Sequence, residues 1–128
     1  MANTQTTTFP INESYYFTAK VKIVGDGSGE ITAGVIIDPA NLTGVPAKFD
    51  IEAIDFELNG FTANLFWDAS TPVLACALPN YDGFINFKQS GQALHNDAGA
   101  GITGKLTITT KGLLTGYAGT ILIKGYHR

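Results

Sequence analysis

The chain has 128 residues, of which 45% are hydrophobic and 15% are charged, and its formal net charge is −3. This length is typical of one compact domain, and so low a charged fraction favours strands, turns and buried contact surface. The basic residues are dispersed, which excludes the clustered basic face of a nucleic-acid-binding protein, and no apolar run approaches the roughly 20 residues of a membrane-spanning helix. Residues 1–4 lack the features of a secretory signal, so we expect the chain to fold in a cytoplasm.

The first thirteen residues are polar and rich in threonine, and Pro10 interrupts any regular element among them. They predict an extended N-terminal arm over 1–13, ahead of a single β-domain over 14–128. Arms of this kind are either disordered or docked on a neighbouring molecule. Phe9 and Ile11 are apolar, and we expect them to anchor the arm on a partner by adding a strand to an exposed sheet edge.

Two strands are predicted directly after the arm. Phe17, Ala19, Val21 and Ile23 alternate with polar residues, which is the period of a strand with one wet face. Alternation resumes over 31–35, and the glycine-rich stretch 25–29 predicts a hairpin between these two strands. The sequence allows a short helical turn over 39–42.

A longer strand is predicted to begin at Phe49. Its apolar residues change parity along the strand, which implies a bulge near Ala53. The Asn-Gly pair at 59–60 is the dipeptide that a tight hairpin turn prefers. A two-residue loop there would place Phe56 opposite Ala63, apolar against apolar, so we expect the strands on either side to pair.

Further strands are predicted at 73–78, 83–88, 105–110 and 119–126, giving about eight in all. Short strands separated by turns predict an all-β, single-domain antiparallel β-sandwich of the jelly-roll kind. The connection 89–104 is much longer than the others, and long loops in compact domains are usually functional or mobile. We therefore expect Leu94, His95 and Asn96 within it to contact a partner.

Residues with catalytic potential do not form a recognisable motif. His95, Asn96 and Asp97 are adjacent, but glycines around them leave nothing to orient them, so they are interpreted as a solvated loop or a contact. The carboxylates over 50–57 alternate along one strand and predict a solvated charged face. The lone Cys76 lies in an apolar run and is interpreted as a small buried hydrophobe. We predict no catalytic residue, no cofactor and no metal ligand.

Aromatic residues offer one alternative. Strand alternation sends Phe66 and Trp67 to opposite faces, so one of them is expected at the surface, which makes Trp67 a candidate contact residue. Trp67, Tyr81 and Tyr117 are the candidates for an exposed stacking platform. Such a platform would indicate a carbohydrate-binding or adhesive β-sandwich module.

The end of the chain has a characteristic organisation. A glycine-rich loop and threonine-rich strand, GAGITGKLTITT over 99–110, precede a closing hydrophobic strand, GTILIKGY over 119–126. With its polar arm and few charges, the chain resembles the small β-rich head decoration, or cement, proteins of tailed bacteriophages. The resemblance implies a non-enzymatic virion protein, made in the host cytoplasm, that binds the outside of a shell of major capsid protein. It also implies a dimer or trimer, with no nucleic-acid or membrane partner.

Overall fold

The computed structural model describes residues 3–89 and 93–127. Residues 1–2 of the predicted arm, 90–92 of the predicted contact loop, and 128 lie outside this part of the chain. Nine strands and one short 3-10 helix occur in the described residues. In chain order they are β1 (Thr4–Asn12), β2 (Tyr16–Val24), β3 (Gly34–Ile37), the 3-10 helix Pro39–Asn41, β4 (Phe49–Asn59), β5 (Thr62–Trp67), β6 (Val73–Leu78), β7 (Asp82–Asn86), β8 (Leu106–Lys111) and β9 (Ala118–His127).

The strands form two antiparallel sheets, one of five strands in the order β1-β2-β9-β4-β7 and one of four in the order β3-β8-β5-β6. Within them β2 pairs with β9, β3 with β8, β4 with β7, and β5 with β6. These pairs are nested in the sequence, as if one long hairpin were rolled up, which is the jelly-roll arrangement. The predicted all-β sandwich is confirmed.

The core lies between the two sheets, and aromatic rings that contact one another connect the two sheets through it. Phe17 contacts Phe49 edge to face, with ring centroids 5.2 Å apart, and Phe49 contacts Trp67 of the other sheet at 5.4 Å. Trp67 is 0% exposed, whereas Phe66 is half-buried on the outer face. The alternation argument was right that the two side chains diverge, but the prediction that Trp67 contacts a partner is wrong because the larger ring fills the core.

Both predicted hairpins are wrong for the same reason. β2 and β3 belong to different sheets, and so do β4 and β5, so the turns at 25–29 and 59–60 carry the chain from one sheet to the other. Phe56 and Ala63 do match in character, but they match because they face one core from opposite sheets. Local pattern does not separate this case from cross-strand pairing. The predicted bulge in β4 is confirmed, since its register against β9 shifts between Ile51 and Ala53.

Residues 4–12 are not a free arm but the edge strand of the five-stranded sheet. β1 pairs with β2 over most of its length, with a register shift between Thr8 and Ile11, around Pro10. Phe9 is half-buried against Phe17 of its own chain, with ring centroids 6.5 Å apart. The predicted role of Phe9 as an anchor on a neighbour is therefore corrected, because its own domain already supplies its partner.

Side chains of β1 also close one side of the sandwich. Thr7 Oγ1 donates to the carbonyl of Ile36 at 2.6 Å, and Gln5 Nε2 donates to the carbonyl of Val35 at 2.9 Å. Both acceptors belong to β3, the edge strand of the other sheet, so these bonds tie the two sheets together. We call this side, formed by β1 and β3, the closed side.

Candidate partner-binding site

The opposite side of the sandwich is formed by the edge strands β6 and β7 and the turn 79–81, and we call it the open side. β6 and β7 are consecutive in the chain but lie in different sheets and are not paired with each other. A cleft of about 710 Å³ opens between them. Phe56, Leu78 and Ile85 are among the residues that line it, and Tyr81 and Phe84 stand at its rim with 60% and 59% of their surface exposed.

A glycine in β7 shapes this cleft. Gly83 pairs with Phe56 in the neighbouring strand, and a Cβ at position 83 would lie 2.6 Å from Cζ of the Phe56 ring. Only glycine therefore lets the ring lie across the strand without displacement. The ring in turn meets Tyr81, with centroids 6.0 Å apart, so aromatic surface runs from the core out to the rim.

The β6 strand is an unusually apolar sheet edge. Its sequence, VLACAL, contains no charged residue and no proline, and Leu74 is 53% exposed. Sheet edges are commonly protected against association by charges, proline or bulges, and here only a bulge at Ala75 is present.

Cys76 is half-buried, and desolvation raises the pKa of its thiol, which keeps it in the neutral form. The predicted interpretation of Cys76 as a small hydrophobe agrees with this environment.

A second concave surface lies on the outer face of the five-stranded sheet. Tyr16 of β2 stands directly opposite Tyr126 of β9 in the strand register. Together with Ile11, Thr18, Glu52 and Lys124, and with Phe17 and Gly125 at its base, they line a groove of about 250 Å³, which we call the outer groove.

Hydrogen bonds hold one wall of the outer groove in place. The Tyr126 hydroxyl donates to Glu52 Oε1 at 2.9 Å and accepts from Lys88 Nζ at 2.9 Å. This bond to the tyrosine raises the pKa of the Lys88 ammonium, which therefore stays charged. Glu52 is not part of a freely solvated carboxylate face as predicted, because its side chain is half-buried in this network.

The described part of the predicted contact loop is docked on β4. The backbone of Leu94 exchanges two hydrogen bonds with Ile51, at 2.7 and 2.9 Å. His95 Nδ1 then lies 2.7 Å from Asp50 Oδ2, and Asp50 is only 9% exposed. A solvated loop was predicted here, and the structure corrects it: β4 continues beyond the end of β7 and offers this segment a backbone partner.

The predicted contact residues do not form one surface. Asn96 is 6% exposed and Leu94 is half-buried, so neither presents a side chain for a partner to cover. Ile11 is 42% exposed and lines the outer groove, and the His95 side chain is 41% exposed. The proposed stacking platform is also corrected, because Trp67 is in the core and Tyr117 is half-buried.

Leu74, Phe84 and Tyr16 were not singled out from the sequence as surface residues. For two of them the signal is present. Phe84 alternates with Gly83 and Ile85 and so shares a face with polar residues, and Tyr16 shares the period of the lysines of β2. Leu74 has no such signal, because β6 is apolar on both faces.

No family model, curated protein or solved structure matches this chain. Over residues 3–89 and 93–127, no helix has the length and apolar character needed to cross a bilayer. In the same ranges, no three or more His, Cys, Asp or Glu side chains are grouped so that they would hold a metal ion.

Proposed function

We propose that this chain is a non-enzymatic virion structural protein that binds the outside of a phage capsid shell and stabilises it. The observation that carries the proposal is the open side. There an uncharged edge strand, an apolar cleft and two exposed aromatic rings lie next to one another. A contiguous exposed apolar surface of this kind marks a place that another protein covers.

The chemistry of the open side fits an extended segment of the shell protein with apolar side chains. Among the described residues, β6 and β7 each end their sheet, so a segment added beside either strand gains backbone hydrogen bonds whatever its sequence. The cleft between the sheets then receives its apolar side chains. β6 carries no charge and β7 carries only Asp82, so these two strands present little charge to an apolar segment.

The jelly-roll topology is compatible with this role, since the fold recurs in viral capsid and lectin domains. Topology alone does not assign a function, and the resemblance of the sequence to decoration proteins supplies the choice of partner. Under the proposal the protein is made in the host cytoplasm, binds the lattice of the major capsid protein as a dimer or trimer, and uses neither a cofactor nor a nucleic acid.

The test is attachment to particles produced from the genome that encodes the chain. We expect the protein in purified particles in a fixed ratio to the major capsid protein, measured by quantitative mass spectrometry. Stripped particles should rebind the wild-type protein. Leu74→Lys should weaken rebinding by about tenfold or more, equivalent to about 1.4 kcal/mol, because it places a charge in the apolar interface.

The matched control is Thr4→Lys, which adds the same charge to the exposed face of β1 on the closed side. It should rebind like the wild type. Absence of the chain from purified particles, or equal rebinding by Leu74→Lys and the wild type, would overturn the proposal.

A further inference from the structure

We propose that the outer groove is a saccharide-binding site, formed by the tyrosine pair Tyr16 and Tyr126 together with Glu52, Lys124 and Thr18. This site is separate from the open side and does not depend on the proposed role in the capsid. The two sites share no lining residue: the groove is lined from β1, β2, β4 and β9, whereas the cleft of the open side is lined from β4, β5, β6, β7 and the turn 79–81.

The aromatic part of the groove suits the apolar face of a sugar ring. Tyr16 and Tyr126 are directly opposite each other on two neighbouring strands, which places both side chains on one face of the sheet. Tyr16 is 40% exposed, and Tyr15 extends the aromatic surface, with its ring centroid 5.6 Å from that of Tyr16. Tyrosines that present an apolar ring and a polar tip are enriched at binding surfaces.

The polar part of the groove suits the hydroxyl groups of the sugar. Glu52 Oε1 accepts the bond from Tyr126, which leaves the second carboxylate oxygen of Glu52 for other donors. The Lys124 ammonium is a hydrogen-bond donor, and the Thr18 hydroxyl can act as a donor or an acceptor. An apolar concave surface with a few convergent polar groups is the usual composition of a small-molecule site.

Charge and rigidity narrow the ligand class. Glu52 and Lys124 line the groove with opposite charges, and the Lys88 ammonium at its wall is already bound to the Tyr126 hydroxyl, which leaves only a small net charge at the site and favours a neutral ligand over a phosphate or an acidic peptide. Tyr126 is fixed by Lys88 and Glu52 before any ligand arrives, so little conformational entropy is lost on binding. A volume of about 250 Å³ suits a sugar ring better than an extended peptide.

The test uses an array of neutral oligosaccharides of two to six units, built from hexoses and N-acetylhexosamines, followed by calorimetric titration of the strongest binder. We expect Tyr16→Ala to raise the Kd by about tenfold or more. Tyr126→Phe keeps the ring but removes both hydroxyl bonds, and we expect it to raise the Kd by a smaller factor. Each variant is first checked for an unchanged thermal unfolding midpoint.

Leu74→Ala, in β6 of the open side, is the control and should leave the Kd unchanged. Loss of particle attachment in Leu74→Lys with normal sugar binding would separate this site from the proposed capsid contact. No binding to any array member, or a Kd that Tyr16→Ala leaves unchanged, would overturn the saccharide site while leaving the proposed function intact. Equal weakening by Leu74→Ala would also contradict it.

Discussion

The two sides of the sandwich differ in whether the chain itself covers their strand edges. On the closed side, β1 covers the edge of β2, and side chains of Thr7 and Gln5 reach across to the main chain of β3. On the open side, β6 and β7 are the last strands of their sheets and lie on either side of an apolar cleft. The chain thus uses its own N-terminal residues to protect one side, and we infer that a partner covers the other.

The largest effect should come from removing the strand that forms the closed side. Deleting residues 1–13 removes β1 and uncovers the core side chains of β2, including Phe17, which loses its contact with Phe9. By comparison with large-to-small core substitutions, we expect a loss of about 3 kcal/mol or more. For a domain of this size that lowers the unfolding midpoint by about 10 °C, measured by calorimetry.

An unchanged midpoint in this truncated protein would mean that β1 is dispensable, and it would restore the interpretation of these residues as an arm that serves a partner. The claim that β1 protects the closed side of the sandwich would then be wrong. Phe84→Ala on the open side is the reference, because its side chain is 59% exposed and its loss should lower the free energy of unfolding by only about 0.5 kcal/mol.

A single bond across the closed side should have an intermediate effect. Thr7→Val keeps the shape of the side chain but removes the hydroxyl that donates to Ile36, leaving a half-buried carbonyl without that partner. We expect a loss of about 1 kcal/mol, seen as a lower midpoint in denaturant titration. Thr6→Val, whose side chain faces outward from the same strand, should be nearly neutral. Equal effects of the two substitutions would show that the cross-sheet bond does not stabilise the closed side.

The open side should tolerate substitutions that the closed side does not. Leu74→Lys replaces an exposed side chain, so we expect a change in unfolding free energy within about 0.5 kcal/mol. The substitution also adds the kind of charge that protects sheet edges from association. Light scattering over a range of concentrations should therefore show less self-association than the wild type. A large loss of stability would instead show that Leu74 packs in the core of the domain and does not belong to an interaction surface.

The smallest effect is a pH dependence near the β3 end of the closed side. Glu30 accepts bonds from the Thr110 hydroxyl and from the Gly112 and Leu113 amides, at 2.8, 2.7 and 3.2 Å. Desolvation opposes ionisation, but these bonds outweigh it and lower the pKa of Glu30 below its ordinary value of 4.5. A lowered folded-state pKa means that the stabilisation is present above pH 4.5 and is lost as the pH falls through the folded value.

Glu30→Gln should therefore unfold at a lower temperature than the wild type at pH 7, and the gap between the two should narrow as the pH falls below about 4.5. Midpoints measured across that range test this directly. A gap that stays constant with pH would assign the effect of the substitution to lost shape or neutral hydrogen bonding rather than to the charge of Glu30.

Local patterns in the sequence predict the strands well and the sheet order poorly. The period of β2, the bulge in β4 and the exact limits of β6 follow from alternation and apolar runs, which are properties of neighbouring residues. The pairing of β4 with β9 and β7, rather than with β5, depends on long-range order that Asn59 and Gly60 do not encode. The Thr-rich β1 lacks a continuous apolar face because it is an edge strand in which Gln5 and Thr7, two of its inward side chains, form hydrogen bonds.

The candidate sites were harder to predict for a related reason. Trp67 was expected at a surface because alternation separates it from Phe66, but alternation does not say which face is the core. Tyr16 and Tyr126 are far apart in the sequence, and only the pairing of β2 with β9 brings them together. Sites formed by strands that are distant in the sequence therefore cannot be predicted until the strand order is known.

The most direct test of the central claim is amide hydrogen exchange of the protein, free and bound to stripped particles. The account predicts that binding slows exchange at amides of β6 and β7, the terminal strands of their sheets in the described part of the chain, and leaves β1 and β3 unchanged. Slower exchange confined to β1 and β3, with β6 and β7 unaffected, would contradict the assignment of the open side as the partner-binding surface.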